Sequence, residues 1–198
     1  MQSCQAYGVS TRVAIGGVRG VVRSLRGLRR ARALNEREHA FLAGEFGDSL
    51  ELERLRIAGG GHPFGRMAWQ PLAAVMQFAD ACFDGSDPEQ GLQARHYPTL
   101  AHEALHVWQR VHGECSVNVS IDGLWLGAFA GRAAYQYDRS LCDPDAVLRE
   151  FLSGNIERQG QMFEDLVRSN VADHSARDPK FSALARYVRG RQRSTAPG

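Results

Sequence analysis

Residues 102–106 read His-Glu-Ala-Leu-His, and this short stretch constrains the fold of the chain more than any other. Because an α-helix advances by about 100° per residue, histidines four positions apart point from one face within about 40° of each other. Their imidazole rings can then bind one metal ion. Glu103 lies between them, where it can take a proton from a water at the metal without being a ligand. The stretch predicts a helix that carries a metal site of the hydrolase type.

The sequence around this motif is typical of a buried helix. Pro98 and Thr99 can open a helix, and Gly113 can close it. The residues that form a broad apolar face between them are Leu100, Ala101, Ala104, Leu105, Val107, Trp108 and Val111. Burial of two imidazoles in such a helix is unfavourable unless their nitrogen atoms have partners. A metal site therefore explains the motif better than coincidence does.

A catalytic zinc ion usually has three protein ligands and one open position, so the two histidines need a third partner. We favour Glu157, which lies 157 − 106 = 51 residues downstream on a later predicted helix. Gly160 follows within one turn, and its small size would let the two helices approach closely. Glu164 and Asp165 lie two turns along the same helix, and we expect them to be solvated charges.

His112 is the alternative third ligand. It lies ten residues after His102, the spacing of the metzincin motif HExxHxxGxxH, but Gln109 stands where that motif has glycine. The glycine lets a metzincin chain turn back toward the metal. In a continuous helix His112 lies six residues, about 9 Å, beyond His106 and points away from the metal-facing side. We therefore rank His112 below Glu157.

The distribution of charge separates the ends of the chain from its centre. Residues 1–33 are rich in glycine and arginine without a core periodicity, which predicts a weakly ordered basic arm. Residues 34–190 then form one domain, and residues 191–198 a polar tail. Residues 1–35 hold seven arginines and no acidic residue, so the remainder has a net charge near 2 − 7 = −5. This acidic remainder argues against a nucleic-acid partner.

Cysteine usage and hydropathy bear on the compartment. The four cysteines are scattered and include no CxxC pair, as is typical of a reducing compartment. No apolar run reaches the length of a membrane span, and arginines interrupt the N-terminal apolar stretch that a signal peptide would need. We expect a cytoplasmic protein without a membrane span.

The pattern of apolar residues predicts an α+β domain that is mainly helical. Besides the motif helix, the predicted helices are one that starts at Asn35, Ile121–Arg139, Asp145–Val171 with a break at Gly154-Asn155, and Phe181–Val188. Ser49–Ala58 alternates apolar and charged residues and is a predicted strand. Residues 66–83 are ambiguous by period alone, and Pro71 forbids one continuous element there. By analogy with zinc hydrolases, which place a small β-sheet beside the metal helix, they are interpreted as two strands, Met67–Trp69 and Val75–Phe83. The polar loop 84–98 is long enough to overhang a cleft.

Several segments of the chain resemble one family. The motif TLAHEALHVWQ resembles the H-E-[LA]-x-H-V-[VW]-Q signature of the zinc metallopeptidase core domain of extracellular contractile injection systems, and of bacterial Vgr-related proteins in particular. The segment EFGDSLELERLRIAGG resembles that family's acidic helix end, F-G-D and short strand. Downstream, AYQYD and NIERQGQMFEDL resemble its tyrosine-containing helix and its E-x-Q-[AG] helix. Together these segments cover roughly residues 40–170.

The resemblance implies a zincin-like fold and a zinc ion (Zn²⁺) as cofactor. In zincins of this general kind a downstream E-x-x-A pattern supplies the third ligand, and it matches Glu157, with Gly160 in the place of the small residue. Gln161 departs from the aspartate that related gluzincins often have next. A ligating histidine normally has an outer acceptor, so another group has to serve, for which Asp138 or a backbone carbonyl is available.

These observations lead to the expectation of a zinc-dependent, gluzincin-like metallopeptidase. His102, His106 and Glu157 would hold the metal, Glu103 would be the general base, and Tyr135 or Tyr137 could donate to the oxyanion. The partner would be a peptide or protein substrate, which could pair with the Val75–Phe83 strand if that strand is a sheet edge. The alternative is a catalytically silent zinc-containing module of a bacterial secretion or contractile injection apparatus, with export by that apparatus.

Overall fold

The computed structural model describes residues 24–61, 68–72, 74–113, 131–173 and 178–191. Its longer helices are α1 (Glu36–Phe46), α2 (Tyr97–Val111), α3 (Pro144–Ser153), α4 (Ile156–Asp173) and α5 (Ser182–Gly190). The motif helix α2 packs most extensively against α4. The fold is α+β and mainly helical, as the sequence predicts.

The helix boundaries follow the residues that the sequence marks as caps. Asn35 and Glu38 form a reciprocal capping box at the start of α1, and the Asp143 carboxylate accepts a hydrogen bond from the Ala146 backbone N–H at the start of α3. Gly113 follows the end of α2 with a φ of 68°, a conformation that favours glycine. The predicted break between α3 and α4 falls at residues 154–155.

A small sheet lies beside α2. Its strands are β1 (Arg32–Ala33), β2 (Arg56–Ala58), β3 (Ala68–Leu72) and β4 (Val75–Phe78), in the order β1-β2-β4-β3. β2 and β4 are parallel, whereas the other neighbouring pairs are antiparallel. β4 thus has a partner on each side, so the condition for peptide pairing with the predicted Val75–Phe83 strand fails. That strand also ends at Phe78, five residues earlier than predicted.

Two other strand predictions differ from the structure. Within Ser49–Ala58 only Arg56–Ala58 is a strand, and 3₁₀ turns occupy residues 47–49 and 52–54. Leu50, Leu52 and Leu55 are buried all the same, so their alternation reflects burial in turns rather than a strand. β3 runs through Pro71 at the edge of the sheet, with an irregular register, because an edge strand tolerates a missing N–H.

The predicted Ile121–Arg139 helix falls partly on residues 114–130, which lie outside the described residues. In its described part, Gly131–Tyr135 forms a 3₁₀ turn and residues 136–138 are not helical. The helix prediction is therefore wrong for this part. The predicted strand residue at position 67 and the tail from residue 192 also lie outside the described residues.

Part of the predicted basic arm belongs to the folded body. Residues 1–23 are outside the described residues, but residues 24–28 are helical and β1 pairs with β2. The Ser24 hydroxyl donates to Gln77 Oε1 over 2.7 Å, and Gln77 Nε2 donates to the Ser24 carbonyl over 2.8 Å. Gln77 and Ser24 are both buried. Residues 24–33 therefore pack onto the sheet instead of forming a weakly ordered arm.

The helices and the sheet share one apolar core. Its largest fully buried side chains are Trp108, Phe46, Phe78, Phe83, Phe151 and Phe163. Trp108 lies on α2 and donates its indole N–H to the Ser49 hydroxyl over 3.1 Å, so this buried polar atom has a partner. None of the helices in the described part of the chain combines the length and hydrophobicity that a membrane crossing requires.

A buried carboxylate, Glu38, joins three segments of the fold. It receives two hydrogen bonds from the Arg32 guanidinium at 2.7 and 2.8 Å, and one each from the backbone N–H of Asn35 and of Leu92 at 2.9 Å. The last bond ties the loop 84–98 to α1. Burial raises the pKa of Glu38, but these donors outweigh it and hold the pKa below its usual value.

We expect Glu38→Gln to lower the free energy of unfolding at pH 7 by about 2 kcal/mol or more, because Arg32 loses its charged partner in a buried site. Since the folded-state pKa is depressed, the stabilisation is present above about pH 4.5 and is lost as the pH falls through the folded-state value. Urea unfolding followed by circular dichroism at pH 7 and below pH 4.5 measures both effects. Glu36→Gln, an exposed change in the same helical turn, is the control.

Equal stability of the Glu38→Gln variant and the control at pH 7 would contradict a structural role for this carboxylate. A stability difference that stays constant below pH 4.5 would contradict the lowered pKa.

Candidate metal centre

Helix α2 brings the three motif residues to one buried place. His102, Glu103 and His106 are 7%, 7% and 6% exposed. The centroids of the two imidazole rings are 4.9 Å apart, and the ring planes are at 81° to each other. This arrangement follows from the spacing of four residues on a helix, which sets the two rings on one face.

Helix α4 adds Glu157 from its first turn. Glu157 Oε2 lies 3.5 Å from His102 Nε2 and 3.8 Å from His106 Nε2. One ligand atom from each of the three residues lies within 4.8 Å of the other two. Ligand atoms at about 2.1 Å from a tetrahedral ion are about 3.4 Å apart, so these distances are near those that a shared ion requires. The buried group could hold a metal ion, and it is the group that the sequence predicts.

The charges of the group favour a cation between its members. Burial lowers the pKa of His102, but the carboxylates of Glu157 and Glu164 outweigh burial and raise it to about 10. Burial lowers the pKa of His106 to about 4. Burial raises the pKa of Glu157, but the two histidines outweigh it and lower this pKa. One positive charge is therefore stabilised among these carboxylates, and the same negative charges would stabilise a metal ion there.

The outer nitrogen of His102 faces a second carboxylate. His102 Nδ1 lies 3.2 Å from Glu164 Oε2, an ion-pair distance at which the N–H direction does not meet strict hydrogen-bond geometry. The other oxygen of Glu164 contacts Arg168. Glu164 is thus not the solvated charge that the sequence predicts. The candidate acceptor Asp138 is exposed and binds Ser140 instead, through the backbone N–H and the hydroxyl.

His112 and Gln109 have different roles from the metal group. The His112 ring packs on Trp108, and its Nε2 lies 3.0 Å from the Ser49 carbonyl oxygen, so His112 is not part of the group. Gln109 does not turn the helix, which continues to Val111. Its Oε1 lies 2.8 Å from His106 Nδ1. The preference for Glu157 over His112 as the third member agrees with this geometry.

The sequence predicts Tyr135 or Tyr137 as an oxyanion donor, and the two tyrosines have different neighbours in the structure. Tyr135 forms a hydrogen bond with Glu157, and its ring centroid lies 6.3 Å from that of His102. Tyr137 donates its hydroxyl to Asp165 over 2.8 Å, and burial together with this bond raises the pKa of Tyr137. Only Tyr135 of the two therefore borders the metal group.

Close contact between α2 and α4 depends on Gly160. A Cβ atom at this position would lie 2.6 Å from His102 Nε2 and 2.7 Å from its Cε1, closer than real Cβ contacts. The His102 ring thus occupies the space above a residue without a side chain. The predicted role of Gly160 in the approach of the two helices is confirmed.

The sequence did not identify Glu164 and Gln109 as neighbours of the histidines, or Gln159 as a neighbour of Gln109. For Glu164 a signal exists, because seven residues after Glu157 a helix returns to nearly the same face. Gln109, three residues after His106, lies on the same face of α2 and carries an equivalent signal. Gln159 has none, because its contact depends on how α4 is rotated against α2.

Comparisons with known proteins connect the chain to one secretion-system component. The chain is similar to the type VI secretion system spike protein VgrG2b of Pseudomonas aeruginosa, with 28% identity over 185 residues. The alignment covers 90% of this chain but only 17% of the spike protein. The expected relation to Vgr proteins has this support. No protein-family model and no solved structure matches the chain.

We expect Gly160→Ala to displace the His102 ring and to weaken metal binding by at least about tenfold, on the scale seen when a ligating histidine loses its orientation. Metal content and competition with a chromogenic chelator measure the effect. Gly44→Ala is the matched control, because its Cβ meets nothing within 4 Å in the middle of α1. Unchanged metal affinity in a folded Gly160→Ala protein would contradict the contact.

Proposed function

We propose that the chain is a zinc-dependent, metallopeptidase-like hydrolase with a gluzincin-like site. The observation that carries the proposal is the buried convergence of His102, His106 and Glu157, with Glu103 next to the first ligand. Two imidazoles and one carboxylate are the donor set of a catalytic zinc site, and three protein ligands leave one position open. The proposal covers the reaction class and leaves the sequence of the peptide or protein substrate open.

The chemistry of the donors favours zinc over harder cations. Calcium and magnesium bind through oxygen, whereas this group offers two nitrogen atoms and one carboxylate. Each histidine faces Glu157 with Nε2 and an outer partner with Nδ1. This division is the usual one for metal-ligating histidines, in which the outer partner fixes the ring.

Each residue then has a defined part in hydrolysis. Zinc, when bound, would lower the pKa of a water molecule and polarise a carbonyl group. Glu103 would accept the proton of the attacking water and pass it to the leaving amine, as a buried carboxylate outside the ligand set. Tyr135 borders the group, and its hydroxyl would donate to the oxyanion once zinc rather than this hydroxyl satisfies Glu157, whereas Tyr137 donates to Asp165 away from the group.

A second proposal is a zinc-containing module without turnover, which serves a bacterial secretion or contractile injection apparatus and is exported with it. The observation in its favour is the similarity of nearly the whole chain to a part of a type VI spike protein. A spike component can keep a metal site to stabilise its fold and bind partners without cleaving them. The two proposals share the zinc site and differ only in the role of Glu103.

The test combines zinc analysis of the purified chain with a peptide-library cleavage assay. We expect wild-type protein to bind one zinc ion and to cleave peptides. Glu103→Gln should keep the zinc and lose at least about 100-fold in kcat/KM, because it removes the general base. Glu157→Ala should lose the zinc and the cleavage together, because it removes a ligand. His39→Ala changes a partly exposed histidine outside the metal group and is the control.

Each other outcome has a definite meaning. Stoichiometric zinc without cleavage by the wild type would favour the module without turnover. An absence of bound zinc in the wild type would contradict both proposals. Full zinc occupancy in Glu157→Ala, with its loss in His112→Ala, would show that the third ligand is His112.

A further inference from the structure

We propose that Gln109 and Gln159 are positioning residues that fix His106 in one tautomer, with the proton on Nδ1 and the lone pair on Nε2. They form a relay of hydrogen bonds from the backbone at the end of α3 to the outer nitrogen of the second histidine. The inference deepens the proposed function and rests on it for the role of His106 as a ligand. The relay itself consists of contacts within the chain.

The relay starts at the carbonyl of Phe151, a group that cannot act as a hydrogen-bond donor. A backbone carbonyl only accepts hydrogen bonds, and this one accepts from the Gly154 N–H over 3.1 Å. Gln159 Nε2 lies 3.0 Å from the same oxygen. With the amide of Gln159 reversed, two acceptor oxygens would face each other at that distance. Gln159 must therefore donate to Phe151, and its Oε1 must face Gln109.

The second link is set by the first. Gln109 Nε2 lies 2.6 Å from Gln159 Oε1 and 3.4 Å from the carbonyl oxygen of Ile156. Both neighbours are acceptors, so the atom of Gln109 between them must be the donor nitrogen. The other end of the amide, Oε1, is then directed to His106 Nδ1 at 2.8 Å.

The last link determines the state of the histidine. Because Gln109 Oε1 can only accept, His106 must donate from Nδ1, and in the neutral imidazole Nε2 then keeps its lone pair. Nε2 is also the atom that faces Glu157 Oε2. The relay thus prepares His106 as a metal ligand before any ion is bound. A ligand that has to exchange tautomers first would bind an ion less readily.

Burial makes the relay hard to replace with water. The side chain of Gln109 is fully buried, and Gln159 is 7% exposed. The two histidines therefore receive different outer partners, since His102 faces the charged Glu164 and His106 faces a neutral amide. The neutral relay fixes the position of a proton, whereas the carboxylate adds negative charge to the site.

The decisive experiment is ¹⁵N NMR of the histidine side chains in the metal-free 198-residue chain at pH 7.5. We expect His106 to carry its proton on Nδ1 in the wild type. Gln109→Met should give a mixture of tautomers and weaken zinc binding by about tenfold or more. Gln109→Glu keeps the acceptor oxygen toward His106 and should keep the proton on Nδ1, but its second oxygen then faces Gln159 Oε1 and should lower the free energy of unfolding. Gln161→Met is the control, because Gln161 lies two residues after Gln159 on α4 and donates to Asp165 outside the relay.

A wild-type spectrum with the His106 proton on Nε2 would overturn the relay, and this measurement needs no variant to fold. Equal tautomer and zinc affinity in Gln109→Met and the wild type would overturn it as well. Failure of the wild type to bind zinc would contradict the proposed function while leaving the tautomer in the metal-free protein as a separate result.

Discussion

The close packing of α2 against α4 is the contact on which the rest of the site depends. The His102 ring lies where a side chain at Gly160 would be, so the two helices are close enough for glutamate and glutamine side chains of α4 to contact α2. Because the helices are this close, three side chains of α4 reach the site. Glu157 contacts both histidines, and Glu164 faces the outer nitrogen of His102. Gln159 binds Gln109, which faces His106. A small change in the separation of these helices would alter all three contacts together.

The site concentrates ionisable groups in a place where burial opposes charge. Any of these groups would be unfavourable in the core as an isolated charge. Burial accordingly acts to lower the pKa of His102 and His106 and to raise that of Glu157. Their mutual attraction offsets it only when a positive charge lies among the carboxylates. Arrangements of this kind are retained more readily for function than for stability, because an apolar core would hold the helices equally well.

The local parts of the fold and site could be predicted from the sequence. Helix periodicity and caps defined α1, α2 and the break between α3 and α4, and the spacing of the motif placed two histidines on one face. Glu157 was predictable as well, because a catalytic zinc site needs a third ligand and a later helix offers this carboxylate. What failed depends on tertiary contacts: the alternation of Leu50, Leu52 and Leu55 arises in turns, and Asp138 faces solvent. Likewise, no local pattern shows which face of α4 Gln159 occupies.

The members of the metal group are far apart along the chain, and this separation has a mechanical consequence. An ion shared by His106 and Glu157 would be a reversible cross-link that closes a loop of 157 − 106 = 51 residues. By the loop-closure estimate used for disulfides, restriction of the unfolded chain on this scale is worth about 4 kcal/mol. A chain without the ion would then unfold far more easily than one that holds it. Metal availability would therefore determine how rigid the folded chain is.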